Sequence, residues 1–459
     1  MLKVVRSKGA LQVRSSFEST LRRLGAATAL AFVLSGGFAQ QSVALPPGNP
    51  VAPPQGKLVV PVVPPSLRAF SARVEKVKKN VPEIVRVATV AADHILAHPG
   101  ALIDVPYGEQ PSFAEEVLNR AGGLSNPLPN VERAGLVTPN DISLLSVRAW
   151  DEDGAKMIPL MQSARKRGWK IFLFASRAGM PKDVIYDHLI DNGATSGGKD
   201  EAATNALTNI LNSWLWTCEY TAALTRGGKY PGVLSSILAA GADEHNKKIQ
   251  TPEGRPFLGV SEKPIAAGAL AAVYLRRVDV LLKDLGGEKV QSEIARTADI
   301  IVRYLKAGKT VGTATVTHFL MSEIFENRKT PMKPFNSVWH SKTAFKENLK
   351  PGDLVVWIGY VGVSTLYEDY LTAIRDAKVD LVASFVLDKN VPNNAPEALS
   401  VIAQNWSIPD AEVPVHFAPG RIAPVSGLDQ GLIYRMLEDA VAARLPKNLP
   451  QQKPVDAKP

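Results

Sequence analysis

Two stretches of the chain carry the same order of apolar and polar positions. Residues 139–176 read PNDISLLSVRAWDEDGAKMIPLMQSARKRGWKIFLFAS, and residues 351–385 read PGDLVVWIGYVGVSTLYEDYLTAIRDAKVDLVASF. Each has a Pro-x-Asp turn, a short apolar run, a polar loop, an amphipathic stretch and a second apolar run. That order predicts strand, loop, helix, strand. Two parallel strands joined by a helix need a crossover of about this length, and such crossovers are right-handed. The loop after the first strand meets a helix N-terminus, a usual place for a small anionic ligand. The expectation is an α/β chain of two tandem three-layer lobes. Each lobe has helices on both faces of a mainly parallel, doubly wound sheet and one candidate ligand site.

The flanking patterns extend both lobes. In the first, residues 67–250, a helix over 81–97 lines up Ile84, Val85, Ala88, Ala91, Ala92 and Ile95 on one face. Gly100 ends it, and 101–105 is the first strand. A helix starts near 112–118, with Ser112 as N-cap and Glu115 as its capping-box partner. Residues 190–194 read as a strand end and turn. Residues 203–223 are the clearest helix, with Ala206, Leu207, Ile210, Leu211, Trp214, Leu215, Cys218 and Ala222 in one stripe. Trp214 and Cys218 therefore read as core. In the second lobe, residues 251–445, a linking helix over 264–285 precedes a restart of the pattern. There 294–305 matches the earlier helix, Gly308 stands for Gly100, and 311–315 is the strand.

The first 39 residues stand apart. They hold six basic residues and one acidic, then the apolar run LGAATALAFVL at 24–34, then small residues before Ala39. This is the layout of a signal peptide, with cleavage after Ala39 or Ala44, by the general route or, given Arg22-Arg23, the twin-arginine route. The apolar run is too short to span a bilayer, so no stable membrane span is expected after cleavage. The expected location is exported, periplasmic or secreted. Residues 40–66 form a proline-rich linker and 446–459 a similar tail. Subtracting the leader's net +5 from the formal +9 leaves +4, too little for a nucleic-acid footprint on a body this long. One cysteine, Cys218, excludes an intrachain disulfide and a thiolate metal cluster.

Three segments carry a resemblance: AEEVLNRAGGL at 114–124, IDNGA at 190–194 and PGVLSSILAAGADEHN at 231–246. In this order they resemble the bacterial SIS (sugar isomerase) domain proteins. The nearest group is the one with a Gly-Thr-Gly-His-Ser-His loop. The resemblance implies a five-stranded parallel, flavodoxin-like sheet between helices, and a protein that binds or isomerises phosphosugars. SIS domains commonly pair, so two lobes in one chain imply an internal pseudo-dimer, and pairing with a second copy stays open.

The departures are informative. Residues 106–111 read Pro-Tyr-Gly-Glu-Gln-Pro where that group has its His-containing loop. Of the Ser-x-Ser-Gly loop only Ser146 is kept in the first lobe, and Asp151, Glu152 and Asp153 follow. In the second lobe Thr317 and His318 fall on the family's hydroxyl and second histidine, and Glu323 on a family glutamate. The loop Gly359-Tyr360-Val361-Gly362-Val363-Ser364-Thr365 resembles the phosphate loop, and Ser426 sits in a stretch resembling one that opens the last helix. Backbone N–H groups beside glycines and Ser/Thr hydroxyls suit phosphate oxygens. The ligand contacts implied are Thr317, Gly359, Gly362, Ser364, Thr365 and Ser426, with Ser146 and Ser112 in the first lobe. With no carboxylate before Glu368, the second lobe is the better anion site.

Aldose–ketose isomerisation moves a proton between neighbouring carbons and needs a base, often with a histidine beside it. Glu323, Glu115 and Glu116 are the candidate bases, His318 and His245 the candidate acids. Asp243, Glu244 and His245 are adjacent, and neighbours in sequence rarely converge on one metal ion. Neither a metal nor a cofactor is expected, and no P-loop or Ser-His-Asp signature is visible. Two readings remain: an exported protein that binds or isomerises a phosphosugar, and a binding or scaffold protein that kept the fold and lost the chemistry. The expected partner in both is a small sugar derivative.

Overall fold

The computed structural model describes residues 63–129, 136–237, 239–251, 254, 258–326, 330–334, 343–361, 365–387, 397–408 and 410–446. The first lobe opens with α1 (Pro65–Ala97) and continues through β1 (Ile103–Asp104), α2 (Pro111–Val117), β2 (Pro127–Leu128), β3 (Ile142–Ser146), α3 (Trp150–Lys166), β4 (Lys170–Ala175) and β5 (His188–Asp191) to α4 (Ala202–Arg226). A hairpin of β6 (Lys229–Pro231) and β7 (Leu258–Val260) encloses α5 (Ala242–Gln250). Then α6 (Ala269–Leu285) leads to the second lobe. That lobe contains α7 (Glu288–Lys306), β8 (Val311–Thr315), α8 (Phe319–Glu326), β9 (Lys333–Pro334), α9 (Ala344–Asn348), β10 (Leu354–Val361), α10 (Thr365–Ala377), β11 (Asp380–Val386) and β12 (Ser400–Gln404). A short hairpin of β13 (Val413–Pro414) and β14 (Arg421–Ile422) precedes the last helix, α11 (Ser426–Ala442).

The first sheet runs β2-β1-β3-β4-β5 and the second β9-β8-β10-β11-β12, all parallel. Numbered within its own lobe, each sheet has the order 2-1-3-4-5. The registers agree as well. Ile103 pairs with Ile142 and Ile142 with Lys170, just as Val311 pairs with Leu354 and Leu354 with Asp380. Both predicted strand-loop-helix-strand units are present, as β3-α3-β4 and β10-α10-β11. The chain is thus α/β, with two parallel five-stranded sheets flanked by helices.

One apolar core fills the space between the sheets. It is built from α1, α4, α6, α7 and α11 and the inner faces of both sheets. Separate clusters cover the outer faces, with α3 on the first sheet and α9 and α10 on the second. The lobes meet where α2 packs on α8 and where α11 crosses α1 and α4. In α4 every residue from Asn205 to Thr225 is buried, including Trp214 and Cys218. A helix apolar on one stripe faces one neighbour; one buried all round lies between several layers.

Several predicted helix starts move, and the linking helix expected from 264 begins only at Ala269, after Gly268. The first helix begins at Pro65, well before 81, because the apolar spacing Leu67, Phe70, Val74, Val77 runs through Pro82 and outweighs the one backbone bond that proline removes. In α2, Pro111 takes the first helical position, where a missing N–H costs nothing. Gln110 is therefore the N-cap residue, no side chain caps the helix, and Ser112 is not the N-cap. Among the described residues no helix is long and apolar enough to cross a membrane.

Candidate functional site

Sheets of this order take ligands past the carboxyl ends of the two strands where the order reverses. Those strands are β1 and β3 in the first sheet, β8 and β10 in the second. At the second point, β8 leads into Thr317 and His318, and β10 ends with Gly359, Tyr360 and Val361. Thr317 is buried, and among the described residues its Oγ1 has no hydrogen-bond partner. His318 is half-buried. Burial first, then the charge of Arg120, holds its imidazole well below the usual histidine range, so the ring is neutral at neutral pH. It meets the Tyr360 ring edge-on, with centroids 6.0 Å apart. The Gly359 carbonyl accepts from Gln404 Nε2 at 2.9 Å and Gln430 Nε2 at 3.2 Å.

Beneath this point lies Arg120, 1% exposed, from the segment after α2. Its guanidinium donates to the Tyr360 hydroxyl and to Ser426 Oγ. It also faces two buried carboxylates, Asp410 at 3.2 Å and Glu116 at 3.4 Å. Ser426 Oγ in turn donates to Asp410 at 2.8 Å. Burial raises both carboxyls above their ordinary range, and Arg120 partly offsets this. Burial works against the guanidinium charge too, but Glu116, Tyr360 and Asp410 more than compensate, so Arg120 stays protonated.

Glu116 reaches from the first lobe into the second. It accepts from Trp214 Nε1 at 3.0 Å and from the backbone N–H of Phe319, the first residue of α8, at 3.3 Å. It also lies against the start of α11: a Cβ on Gly427 would sit 2.4 Å from its Oε1. The carboxylate thus meets the N-terminal ends of two helices, where partial positive charge gathers. Gly122 serves the same junction, with φ +75°; a Cβ there would come within 3.0 Å of Ala411 and of the Ala423 nitrogen. This accounts for part of the AEEVLNRAGGL segment as the place where the lobes touch.

Glu323 is buried on α8. Arg435 holds its Oε1 at 2.5 Å, and Arg148 of the first lobe approaches Oε2 at 3.8 Å. Burial raises its pKa, and the two arginines lower it in part. The candidate base is therefore engaged in an ion pair. Glu115, one residue before Glu116 and half-buried, accepts from the Tyr107 hydroxyl. The two side chains diverge, one toward the core and one toward Tyr107.

The first switch point is filled by its own side chains. Asp153 accepts from the backbone N–H of Arg148 at 3.2 Å and of Ala149 at 3.4 Å. It also takes the Arg148 guanidinium in a fork at 3.2 Å on both arms. Gln110 bridges the end of β3, accepting from Ser146 N and donating to Leu144 O. Ser146 Oγ accepts from Asn209 Nδ2 at 2.9 Å. Ser112 lines the same cleft with Glu109, Gln110, Ser146, Arg148 and Phe319, and its free volume is about 10 Å³. That is room for about one water.

His245 lies apart from both points. Its Nε2 donates to the Val233 carbonyl at 2.8 Å, while Asn246 bonds the backbone of Ser235 in both directions at 2.8 Å. These residues pin the loop after β6. Gly362 and Ser364 lie outside the described residues, as does the side chain of Thr365. Sequence reasoning missed Arg120, Asp410, Tyr360, Gln110 and Arg435 as members of the site. Arg120, Gln110 and Tyr360 lay inside segments quoted for comparison with the family, whereas Asp410 and Arg435 carried no signal.

No family model matches the chain, and no curated protein does. Among solved structures, a candidate phosphosugar isomerase from Silicibacter pomeroyi DSS-3 matches at 11% identity over 83% of this chain and 98% of its own, with a TM-score of 0.48. A candidate sugar-binding protein from Salmonella typhimurium LT2 matches at 10% identity over 83% and 98%, with a TM-score of 0.46. A tagatose-6-phosphate ketose/aldose isomerase from Escherichia coli matches at 10% over 82% and 89%, with a TM-score of 0.41. Identities and scores this low carry nothing about ligand or reaction. The solved structures this chain is similar to are named as phosphosugar isomerases or a sugar-binding protein, and these matches span most of its length.

Proposed function

We propose that the protein binds a phosphosugar or a related anionic sugar derivative at the second switch point, and that it acts as a binding protein rather than an isomerase. The observation that carries this reading is the contrast between the two points. At the first, Asp153 already takes the N–H groups of Arg148 and Ala149 and the Arg148 guanidinium. At the second, no acidic residue stands between β10 and Glu368, and among the described residues the buried hydroxyl of Thr317 has no hydrogen-bond partner. The ligand contacts proposed are Thr317, Gly359, Gly362, Ser364 and Thr365, with Ser426 behind them. Of the three candidate bases, Glu116 and Glu323 are engaged in buried ion pairs and Glu115 accepts from the Tyr107 hydroxyl. A general base must be free to take a proton, so this favours binding over turnover.

Thermal shift against a panel of hexose phosphates and amino sugars tests binding, since a ligand that binds only the folded chain raises its melting point. A coupled isomerase assay on any stabilising sugar separates binder from enzyme. Failure of every anionic sugar to stabilise the protein would favour the scaffold reading. We also propose export, with cleavage after Ala39 or Ala44. N-terminal sequencing of protein recovered from cells tests it, and an intact Met1 in the cytoplasm overturns it.

A further inference from the structure

We infer that Arg120 is a positioning residue for the second switch point, the group through which the first lobe fixes Tyr360 and the start of α11. The inference rests on the binding reading above only for its consequence for affinity, not for the anchoring itself. Arg120 belongs to the first lobe by chain position, yet three of its four partners belong to the second. These are Tyr360 at the end of β10, Ser426 at the first position of α11 and Asp410 in the loop ahead of β13. The fourth, Glu116, is on α2 and bonds the N-terminus of α8. The guanidinium also lies 5.6 Å from the centroid of the Tyr360 ring. That ring is packed edge-on by His318 on one side and by Trp406 on the other, with centroids 6.0 and 5.7 Å away.

One cation thus ties the end of β10 to the first turn of α11 and the loop at Asp410, and the His318 turn joins them through its ring contact with Tyr360. A planar fork with five donors can serve several acceptors at once, which a lysine ammonium on a flexible stem cannot reproduce in the same geometry. Buried at 1% exposure, Arg120 cannot itself meet a solvent-borne ligand. Its effect on the crevice passes through Tyr360, which is half-buried; Ser426 is as buried as Arg120 and fixes the start of α11.

The test compares Arg120→Lys, Tyr360→Phe and Ser426→Ala with the wild-type full chain by amide hydrogen exchange, which reports local opening. Arg120→Lys is expected to speed exchange about tenfold or more at 358–361 and 426–429, while 146–149, the place in the first sheet equivalent to 358–361, stays unchanged. Tyr360→Phe is expected to affect 358–361 alone. Equal acceleration in both lobes, or none in either, overturns the inference. If Arg120→Lys does not fold, the two milder variants decide alone: each must loosen its own segment. A calorimetric arm uses glucose 6-phosphate, fructose 6-phosphate, glucosamine 6-phosphate and inorganic phosphate. For any that binds, Arg120→Lys and Tyr360→Phe should each weaken binding, with the double variant no weaker than Arg120→Lys, because the two act in series. Additive losses would contradict action through Tyr360. If none binds the wild type, the proposed function falls, and the exchange result alone decides the anchoring.

Discussion

The two switch points share a strand frame and differ in what occupies it. Arg148 stands six residues past Ile142, and Tyr360 six past Leu354. Each crosses to the other lobe, Arg148 toward Glu323 and Tyr360 to Arg120. One residue earlier, the carbonyls of Val147 and Gly359 each accept from the last helix of their lobe, through Asn209 at 3.0 Å and Gln430 at 3.2 Å. The support from the last helix is shared, and Gln404 adds a second donor to Gly359 at 2.9 Å. In the first lobe, however, the cation is in the loop itself and is matched by Asp153 beside it. In the second, the cation lies underneath, and an aromatic hydroxyl takes its place in the loop. A frame kept in common while its polar contents diverge suits a molecule in which only one of two equivalent places holds a ligand.

Removing each arginine should separate the two places most sharply. Arg120→Met leaves Glu116 and Asp410 buried without their cation. Breaking a buried pair in this way costs about 3–5 kcal/mol. Arg148 is partly solvated, with its side chain 17% exposed. Without it, Asp153 keeps two backbone N–H bonds and Glu323 keeps Arg435. Arg148→Met should therefore cost only about 1–2 kcal/mol, nearer a lost charged hydrogen bond. Urea denaturation of both variants checks the order, and equal losses would remove the contrast between the two cations.

Gly427→Ala comes next. The new Cβ would press on a carboxylate held by Trp214, Arg120 and the Phe319 N–H, so it cannot swing aside cheaply. Overpacking of this kind costs about 1–3 kcal/mol. The same denaturation experiment reads it, and a neutral result would mean that Glu116 is free to move.

Titration supplies a third contrast. The last helix of the first lobe buries amides, Asn205, Asn209 and Asn212, whereas the start of α11 buries Asp429. Burial pushes Asp429 up to about 7, against the opposing N–H of Asn405. Between the ordinary carboxylate pKa and about pH 7 the folded chain therefore holds a proton that the unfolded chain has released. The contribution of this group to stability is full below that window and declines as pH rises through it. Asp429→Asn keeps an acceptor for Asn405 and should flatten the stability profile between about pH 4 and pH 7. An unchanged slope would show that Asp429 is ionised throughout. Among the described residues, Asn209→Ala loses three buried hydrogen bonds and Gln430→Ala two, each bond worth about 0.5–1.5 kcal/mol. A larger loss at Asn209 is expected in melting curves, and a larger loss at Gln430 would contradict this count.

What could be read in the sequence follows the range of the interactions. The strand at 311–315 and the α4 stripe through Trp214 were legible because period and local turn signals fix them. Pro82 masked the first half of α1, since a proline reads as a break while the apolar face continues beneath it. Arg120 was illegible as a hub. Its partners Tyr360 and Ser426 lie 240 and 306 residues away, and only the packing of the two lobes, α2 on α8 and α11 on α1 and α4, brings them together. Glu323 and Ser146 were legible as polar positions at the right places, but the groups that engage them, Arg435 and Asn209, come from the last helices of the two lobes.

The most direct measurement is a calorimetric titration of hexose phosphates into the wild type, Ser364→Ala and Ser146→Ala. A hydrogen bond to a charged group is worth roughly 1.5–3 kcal/mol, and about 1.4 kcal/mol is tenfold in affinity. At least one sugar phosphate should bind the wild type. Ser364→Ala should then weaken it about tenfold or more, while Ser146→Ala should leave it within about twofold. Loss of binding in Ser146→Ala, with Ser364→Ala unchanged, would place the ligand in the first lobe and contradict the account.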